Sequence, residues 1–440
     1  MAWETRFNFD GIDIKSRLRR IPDPLKGLQN IPVDIAEQMI DQALKEVYVP
    51  TWQEIRVIKK ILGAAQAYAR RHYKSEENFM RGVYSFETPF DMESAVTLLT
   101  SEAGIGKTQL YKALQELLGA PTSIAVTSDK LSYEVIGGAF TTVRNNQTPL
   151  DVLHGIAESY HFDGPTVSAS RDALRQFRAQ LYKRGCCFIF VDELQFLTLG
   201  AGANTLLTKT LYLLRNLGRP VFYIGNYSLG HRLKKRPQED RHRLLSNPII
   251  LLPDSKTDPE YLEVLKAYEE VCAEFVQFDS ALHAEQIYFC AGGNKRALRT
   301  LFPLAYRIAR ERGERERATT KVSIADLVAA YRSAEFSAFR EDVVICREQL
   351  VKAKEVRRDL WCPFELPEDL SAVRAQLAKQ ASAAQLSSAI LASSLTRAES
   401  DGVAQMRTVA GFDSPLPSPR PIPKSKRPRV TAAQLLSGRA

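Results

Sequence analysis

No apolar run in this sequence approaches the roughly 18–20 residues that a membrane-spanning helix needs. No apolar h-region lies within the opening MAWETRFNFDGIDIKSRLRR, so no signal peptide is expected. No membrane partner and a cytoplasmic setting follow as expectations. Cysteine is sparse: Cys186, Cys187, Cys272, Cys290, Cys346 and Cys362 are the six, with no CxxC pair and no metal-ligand spacing. That excludes a zinc ribbon or a disulfide framework and leaves reduced packing thiols. No internal repeat is apparent.

What is present is a chain able to fold. Its 440 residues predict two or three structural units. At 45% hydrophobic and 25% charged, most of it can bury a core. The net charge of +9 favours polyanion partners such as nucleic acid, although a solvated basic face would give the same sum.

Ile35 to Val47 reads as a short amphipathic helix. Thr51 with Glu54 forms a capping-box pattern before a long helix, Trp52 to about Tyr73, with Ile55, Ile58, Ile61 and Leu62 on one face. Residues 74–93 read as loop and linker. Strands are expected at Ala95 to Thr100, Ser123 to Thr127, Cys186 to Val191, Val221 to Gly225 and Ile249 to Leu252. Helices at Gln109 to Leu118, Pro149 to Ser159, Arg171 to Arg184 and Leu206 to Leu217 alternate with them, the pattern of an α/β fold with a parallel sheet. After Pro253 only helices are expected, over Pro259 to Phe278, Ser280 to Cys290, Asn294 to Arg312 and Ser323 to Ser337. Residues 338–372 suggest no element. Residues 373–400 are rich in Ala, Ser, Gln and Leu and read as partly helical. Proline alternating with Lys and Arg beyond 411 cannot build a core and reads as disordered.

Five motifs carry the chemistry. The first is SEAGIGKT, Ser101 to Thr108, between a strand and a helix. It matches the phosphate-binding loop G-x-x-x-x-G-K-[ST] except that serine opens it. Backbone N–H groups over Ser101, Ala103, Gly104, Ile105, Gly106, Lys107, Thr108 and Gln109 can cradle phosphates. Lys107 would reach the β- and γ-phosphates of ATP, and Thr108 would give a hydroxyl to Mg2+. The second is CCFIFVDE, an apolar strand ending in two carboxylates. Asp192 would hold the metal and Glu193 would polarise the attacking water; a solvated turn is the alternative. Strand and helix candidates between these two motifs point to a sheet of order 5-1-4-3-2.

The third is Asn226, one strand on, placed to sense a γ-phosphate or simply to form a turn beside Gly225. The fourth is RLKKRPQEDRHRLL, where Arg236, Arg241 and Arg243 could reach a neighbouring subunit's nucleotide or line a basic surface. The fifth is GGNKRALRTL, in which Gly293 and Asn294 cap a helix. Its Arg296, three residues from Arg299 on one face, could swing onto the γ-phosphate.

In this order the five pieces resemble the AAA+ ATPases. GIGKT, VDELQFL with Gln195, a strand ending in GN, GGNKRALRTL and the opening YVPTWQEI resemble more narrowly the TnsC/TniB family, regulators of transposons with DDE transposases. The resemblance covers about residues 47–310. It implies a homo-oligomer, ring or helical filament, on double-stranded DNA in the ATP state. It also implies partners: a TniQ/TnsD-type target selector and transposase subunits, with hydrolysis disassembling the oligomer.

The expected division is 1–93 for an N-terminal helical extension and linker, 94–255 for the ATPase core and 256–340 for a helical lid. A helical C-terminal extension, 341–410, and a disordered basic tail, 411–440, would follow. DNA contacts are expected from Lys130 to Arg144 or from the tail at Arg420, Lys424, Lys426, Arg427 and Arg429. A helicase loader or replication initiator of the same fold, and a signalling NTPase without DNA binding, are the alternatives.

Overall fold

The computed structural model describes residues 7–9, 11–91, 94–126, 131–144, 147–161, 171–198 and 203–394. By backbone contacts, residues 1–379 form one compact unit and residues 380–440 a second. The expected tail, with its five basic residues, lies outside the described residues.

The sheet is built from strands buried along most of their length. β1 (Val96–Ser101) is buried at every position. β2 (Thr122–Val126) and β3 (Leu131–Val135) come next in the chain, followed by β4 (Ala139–Thr142). β5 (Ile189–Asp192), β6 (Val221–Asn226) and the short β7 (Ile249–Ile250) complete the set. Five strands form one sheet in the order β4-β5-β6-β1-β7, and every pair in it is parallel. Numbered by their sequence within that sheet, this is the expected 5-1-4-3-2. Strands buried on both faces cannot alternate with polar residues, which explains the continuous apolar runs.

The second sheet strand is not the one the sequence suggested. Residues 122–126 pair antiparallel with β3 in a separate hairpin. In β2 only Ile124 and Val126 are buried, a period-two pattern that suits one covered face and not a central slot. β4 takes the place beside β5. Gly138 precedes it because a Cβ there would meet the Phe188 ring. Of the segment Lys130 to Arg144, Lys130 lies outside the described residues and the rest is mostly strand, with Val135, Ile136, Ala139, Phe140 and Val143 buried.

The capping box at Thr51 and Glu54 is present and starts the helix Trp52–His72. Part of the expected linker is helix: Ser75 caps Glu76–Tyr84, whose Phe79 is fully buried against Tyr182. The helices Pro259–Val271, Ala284–Ala291, Lys295–Glu316 and Ile324–Arg332 share a second core around Tyr268, Leu301, Phe302 and Tyr306. The N-terminal helix Val33–Glu46 joins that core through Ile40 and Leu44, while Trp52–His72 packs under the sheet through Ile58 and Ile61. Residues 47–51 cross between the two cores.

Residues 338–372, in which the sequence suggested no element, return to the sheet. The helix Ser337–Lys352 and a 3-10 turn, Arg358–Leu360, lead to the helix Glu368–Ser394. Leu370 packs on Ile250 and Leu252, and Asp369 pairs with Arg56. Among the described residues no helix is long and apolar enough to cross a membrane.

Candidate nucleotide site

The site forms where β1 and β5 end at one edge of the sheet. Gly104 and Gly106 adopt φ of 87° and 114°, values that side chains rarely tolerate. A Cβ on Gly104 would collide with the Asn294 side chain. Beyond Gly106 the helix Lys107–Leu118 starts without a side-chain cap, so its first N–H groups face the loop. Ile105 is buried in the sheet-side core, which pins the middle of the loop.

Lys107 folds back onto the loop. Its Nζ donates to Ser101 O at 3.1 Å, Ser101 Oγ at 2.7 Å and Glu102 O at 2.7 Å. Burial holds the ammonium down to about 8, against the favourable charges of Glu102, Asp192 and Glu193. The serine that departs from the glycine pattern is thus an added ligand for the lysine.

Asp192 closes β5 and is buried. Burial and the adjacent Glu193 push its carboxyl up to about 6, opposed by bonds from the Glu193 N–H and the Thr108 side chain. The Glu193 N–H donates to Asp192 Oδ1 at 2.8 Å. Glu193 itself has φ of 59°, an uncommon backbone for a glutamate and one that redirects its carboxylate away from the strand. Gln195 Nε2 donates to Glu193 Oε2, a contact that VDELQ permits because a 3-10 turn, Leu194–Thr198, follows at once.

Thr108 and Asp192 are the two oxygen donors in contact. Among the described residues no group of three or more His, Cys, Asp or Glu is placed to hold a metal by itself. Two hard oxygen ligands suit a magnesium ion that takes its remaining ligands from phosphate and water.

Asn226 pairs in register with Ser101 and so stands beside the loop. Its Oδ1 accepts from the Leu229 N–H at 3.0 Å and caps the helix Tyr227–Lys234. The turn-like role and the position next to the loop therefore coexist in one residue.

The GGNK segment fastens the helical unit to the loop. Gly292 and Gly293 have φ of 61° and 76°, and a Cβ on Gly293 would strike the Asp254 carbonyl. Asn294 Nδ2 donates to Ala103 O at 2.7 Å, while its Oδ1 caps the helix at Arg296 and Ala297. The Arg296 N–H donates to Gly104 O at 3.0 Å. The Arg296 side chain is exposed, yet its charge lies near enough to help lower the Lys107 ammonium. Arg299 instead pairs with Asp41 at 2.8 Å.

Three expected residues sit apart from this cluster. Gln109 is half-buried and donates to Lys45 O at 2.7 Å. Arg241 and Arg243 are exposed on the helix Gln238–Leu244, with Arg243 paired to Glu239 at 2.9 Å.

Sequence reasoning missed the ion pair behind the loop. Lys295 Nζ lies 2.9 Å from Glu54 Oε1 and 4.0 Å from Asp254 Oδ2, with both carboxylates buried. A lysine directly after a helix-capping asparagine was the available signal, but only the fold brings Glu54 to it.

Residues 91–233 match a family model described as an AAA domain. The span runs from just before β1 into the helix after β6, so the matched part is the P-loop core. The matched span holds most of the parallel α/β sheet, and a helical region follows it. A comparison with curated proteins gives no match. Among solved structures, the chain is similar to the Orc1 protein of Aeropyrum pernix in complex with DNA, with 19% identity and a TM-score of 0.35, covering 79% of this chain and 83% of that one. It is also similar to Cdc6p of Pyrobaculum aerophilum, with 14% identity and a TM-score of 0.36, covering 71% and 80%. Domain III of the replication initiation protein DnaA from Thermotoga maritima has 14% identity and a TM-score of 0.31, covering 58% and 88%.

Proposed function

We propose that this chain is an ATPase that assembles as a homo-oligomer on duplex DNA and regulates transposition. The observation that carries the ATPase reading is the Thr108–Asp192 contact at the mouth of a glycine loop, with Glu193 turned out of the strand beside it. Thr108 and Asp192 would hold a magnesium ion, which neutralises charge on the phosphates of bound ATP. Lys107 would give up the Ser101 hydroxyl for the β- and γ-phosphates and keep the Glu102 carbonyl. Glu193, oriented by Gln195, takes up the proton of the attacking water. Asn226 hydrogen-bonds that water or the γ-phosphate from the neighbouring strand. Arg296 answers the γ-phosphate from the lid, and Arg241 or Arg243 answers it from an adjoining subunit.

The transposition role rests on the resemblance of the GIGKT, VDELQFL and GGNKRALRTL segments, and the DNA role on that resemblance and the net charge of +9. Phosphate contacts from Lys and Arg would make assembly weaken as salt rises.

The test is binding of the full chain to fluorescent duplex DNA with ATP, ADP or no nucleotide. Assembly is expected with ATP, lost in Lys107→Ala and prolonged in Glu193→Gln. DNA binding that ignored nucleotide, or was absent, would remove the transposition reading and bring a signalling switch to the front.

A further inference from the structure

The phosphate loop contains a buried carboxylate that phosphate binding does not require. Glu102 is 6% exposed. Its Oε2 accepts from Cys346 Sγ at 3.1 Å, and Asn294 bonds the same carboxyl group. Its main-chain oxygen accepts from Lys107 Nζ at 2.7 Å and from Ser101 Oγ at 2.7 Å. One residue therefore holds the loop lysine with its backbone and two outside elements with its side chain. Those elements are the lid motif at Asn294 and the helix Ser337–Lys352.

Charged and titratable groups face this carboxyl from every side. Lys107 comes from the loop, Asp342 and Cys346 from the C-terminal helix, Tyr227 from the helix after β6 and Tyr288 from the lid. Burial lifts the Glu102 carboxyl to about 7. Burial, then the charge of Glu102, pushes the Cys346 thiol well up, so the sulfur keeps its proton and donates.

We propose that Glu102 is a positioning residue for ATP hydrolysis, fixing Lys107 from within the loop while Cys346 makes the helix Ser337–Lys352 part of the nucleotide site. The inference rests on the ATPase reading above. Rotation about the 102–103 peptide would carry away one of the three oxygens that hold Lys107 and loosen a second through the Ser101 hydroxyl. The anchored carboxylate resists that rotation. The same C-terminal segment also grips the helix that Asn226 caps. His231 Nε2 lies 3.0 Å from Trp361 O, and Lys234 Nζ donates to Pro363 O at 2.7 Å. A shift of residues 337–366 would thus reach the loop lysine and the Asn226 helix together.

The test measures steady-state ATP hydrolysis and thermal melting of the full chain. The variants are Cys346→Ser, Cys346→Val, Glu102→Ala and the double Glu102→Ala/Cys346→Val, with Lys107→Ala as control. Cys346→Ser retains a donor and is expected to keep kcat within about two-fold of wild type. Cys346→Val removes the donor and is expected to lower kcat about ten-fold with little change in KM, the cost of a misplaced catalytic group. Glu102→Ala should match it, and the double variant should be no worse than either single one. The inference is overturned if Cys346→Val keeps full kcat, if Cys346→Ser fails equally, or if the two single effects add. A Glu102→Ala chain that melts early is replaced by Glu102→Gln, which keeps an acceptor and should behave as Cys346→Ser does. A wild type whose turnover equals that of Lys107→Ala would remove the ATPase reading and this inference together. Turnover with an unaffected valine variant would remove this inference alone.

Discussion

Two elements hold the phosphate loop, and they do so with different chemistry. On the lid side Asn294 is bonded to Ala103 of the loop, and the helix it caps is tied down by ions outside the loop, with Lys295 set between Glu54 and Asp254. On the C-terminal side one thiol donates to one carboxylate, Cys346 to Glu102. Breaking one partner of a buried ion pair leaves an uncompensated charge, whereas a thiol hydrogen bond can be lost with little left behind. The lid grip is suited to holding the fold, and the thiol grip to being adjusted.

The largest expected effect breaks the ionic side. Lys295→Ala strands Glu54, which is 2% exposed, and should destabilise the chain by about 3–5 kcal/mol in urea unfolding. Cys346→Val should cost less than about 1.5 kcal/mol in the same measurement. Equal losses from the two would erase the contrast.

That contrast was only half legible in the sequence. The loop, the Asp192–Glu193 pair, the sheet order and the capping box at Thr51 were readable, because each is set by neighbours within a few residues or by a run of apolar side chains. Glu54 was recognisable as a capping residue, yet its second role depends on a lysine 241 positions away. The hairpin of β2 and β3 was misread because the alternation of buried Ile124 and Val126 with exposed Ser123 and Ala125 marks a strand with one covered face without saying which sheet it joins. Residues 337–379 carry mixed patterns with no strong period, and their place is fixed by single contacts such as Leu370 on Ile250. Local sequence says nothing of such contacts.

Proton linkage should sharpen the comparison, since each side holds one carboxyl lifted by burial. Asp254, on the lid side, rises to about 7 from an ordinary 3.8 despite the nearby lysine. Lys295 remains charged because its short contact is Glu54, with Asp254 more distant. Glu102, on the other side, rises to about 7 from 4.5. A folded-state value above the unfolded one means that the native chain binds more protons between the two. Both groups therefore make stability fall as pH rises from about 4 to 7. Urea midpoints at pH 4.5 and 7.5 should show it, and Glu102→Gln and Asp254→Asn should each remove on the order of 1–3 kcal/mol of the difference. A pH dependence unchanged in both variants would mean that neither carboxyl is held neutral.

The smallest effect concerns the residue at which the loop departs from its pattern. Ser101 Oγ is one of three oxygens that hold Lys107 Nζ, and the two others are carbonyls that any residue would supply. Phosphate oxygens of a nucleotide compete with this cradle for the same ammonium. Ser101→Gly removes the one ligand that is optional and leaves the carbonyls in place. A hydrogen bond to a charged group contributes about 1.5–3 kcal/mol, but the lysine keeps two acceptors and part of that is recovered. ATP affinity should therefore rise only about three- to five-fold, a gain of roughly 1 kcal/mol. Titration of a fluorescent ATP analogue into wild type and Ser101→Gly reads it directly. Weaker binding in the glycine variant would mean that the serine hydroxyl serves the bound nucleotide and does not compete with it.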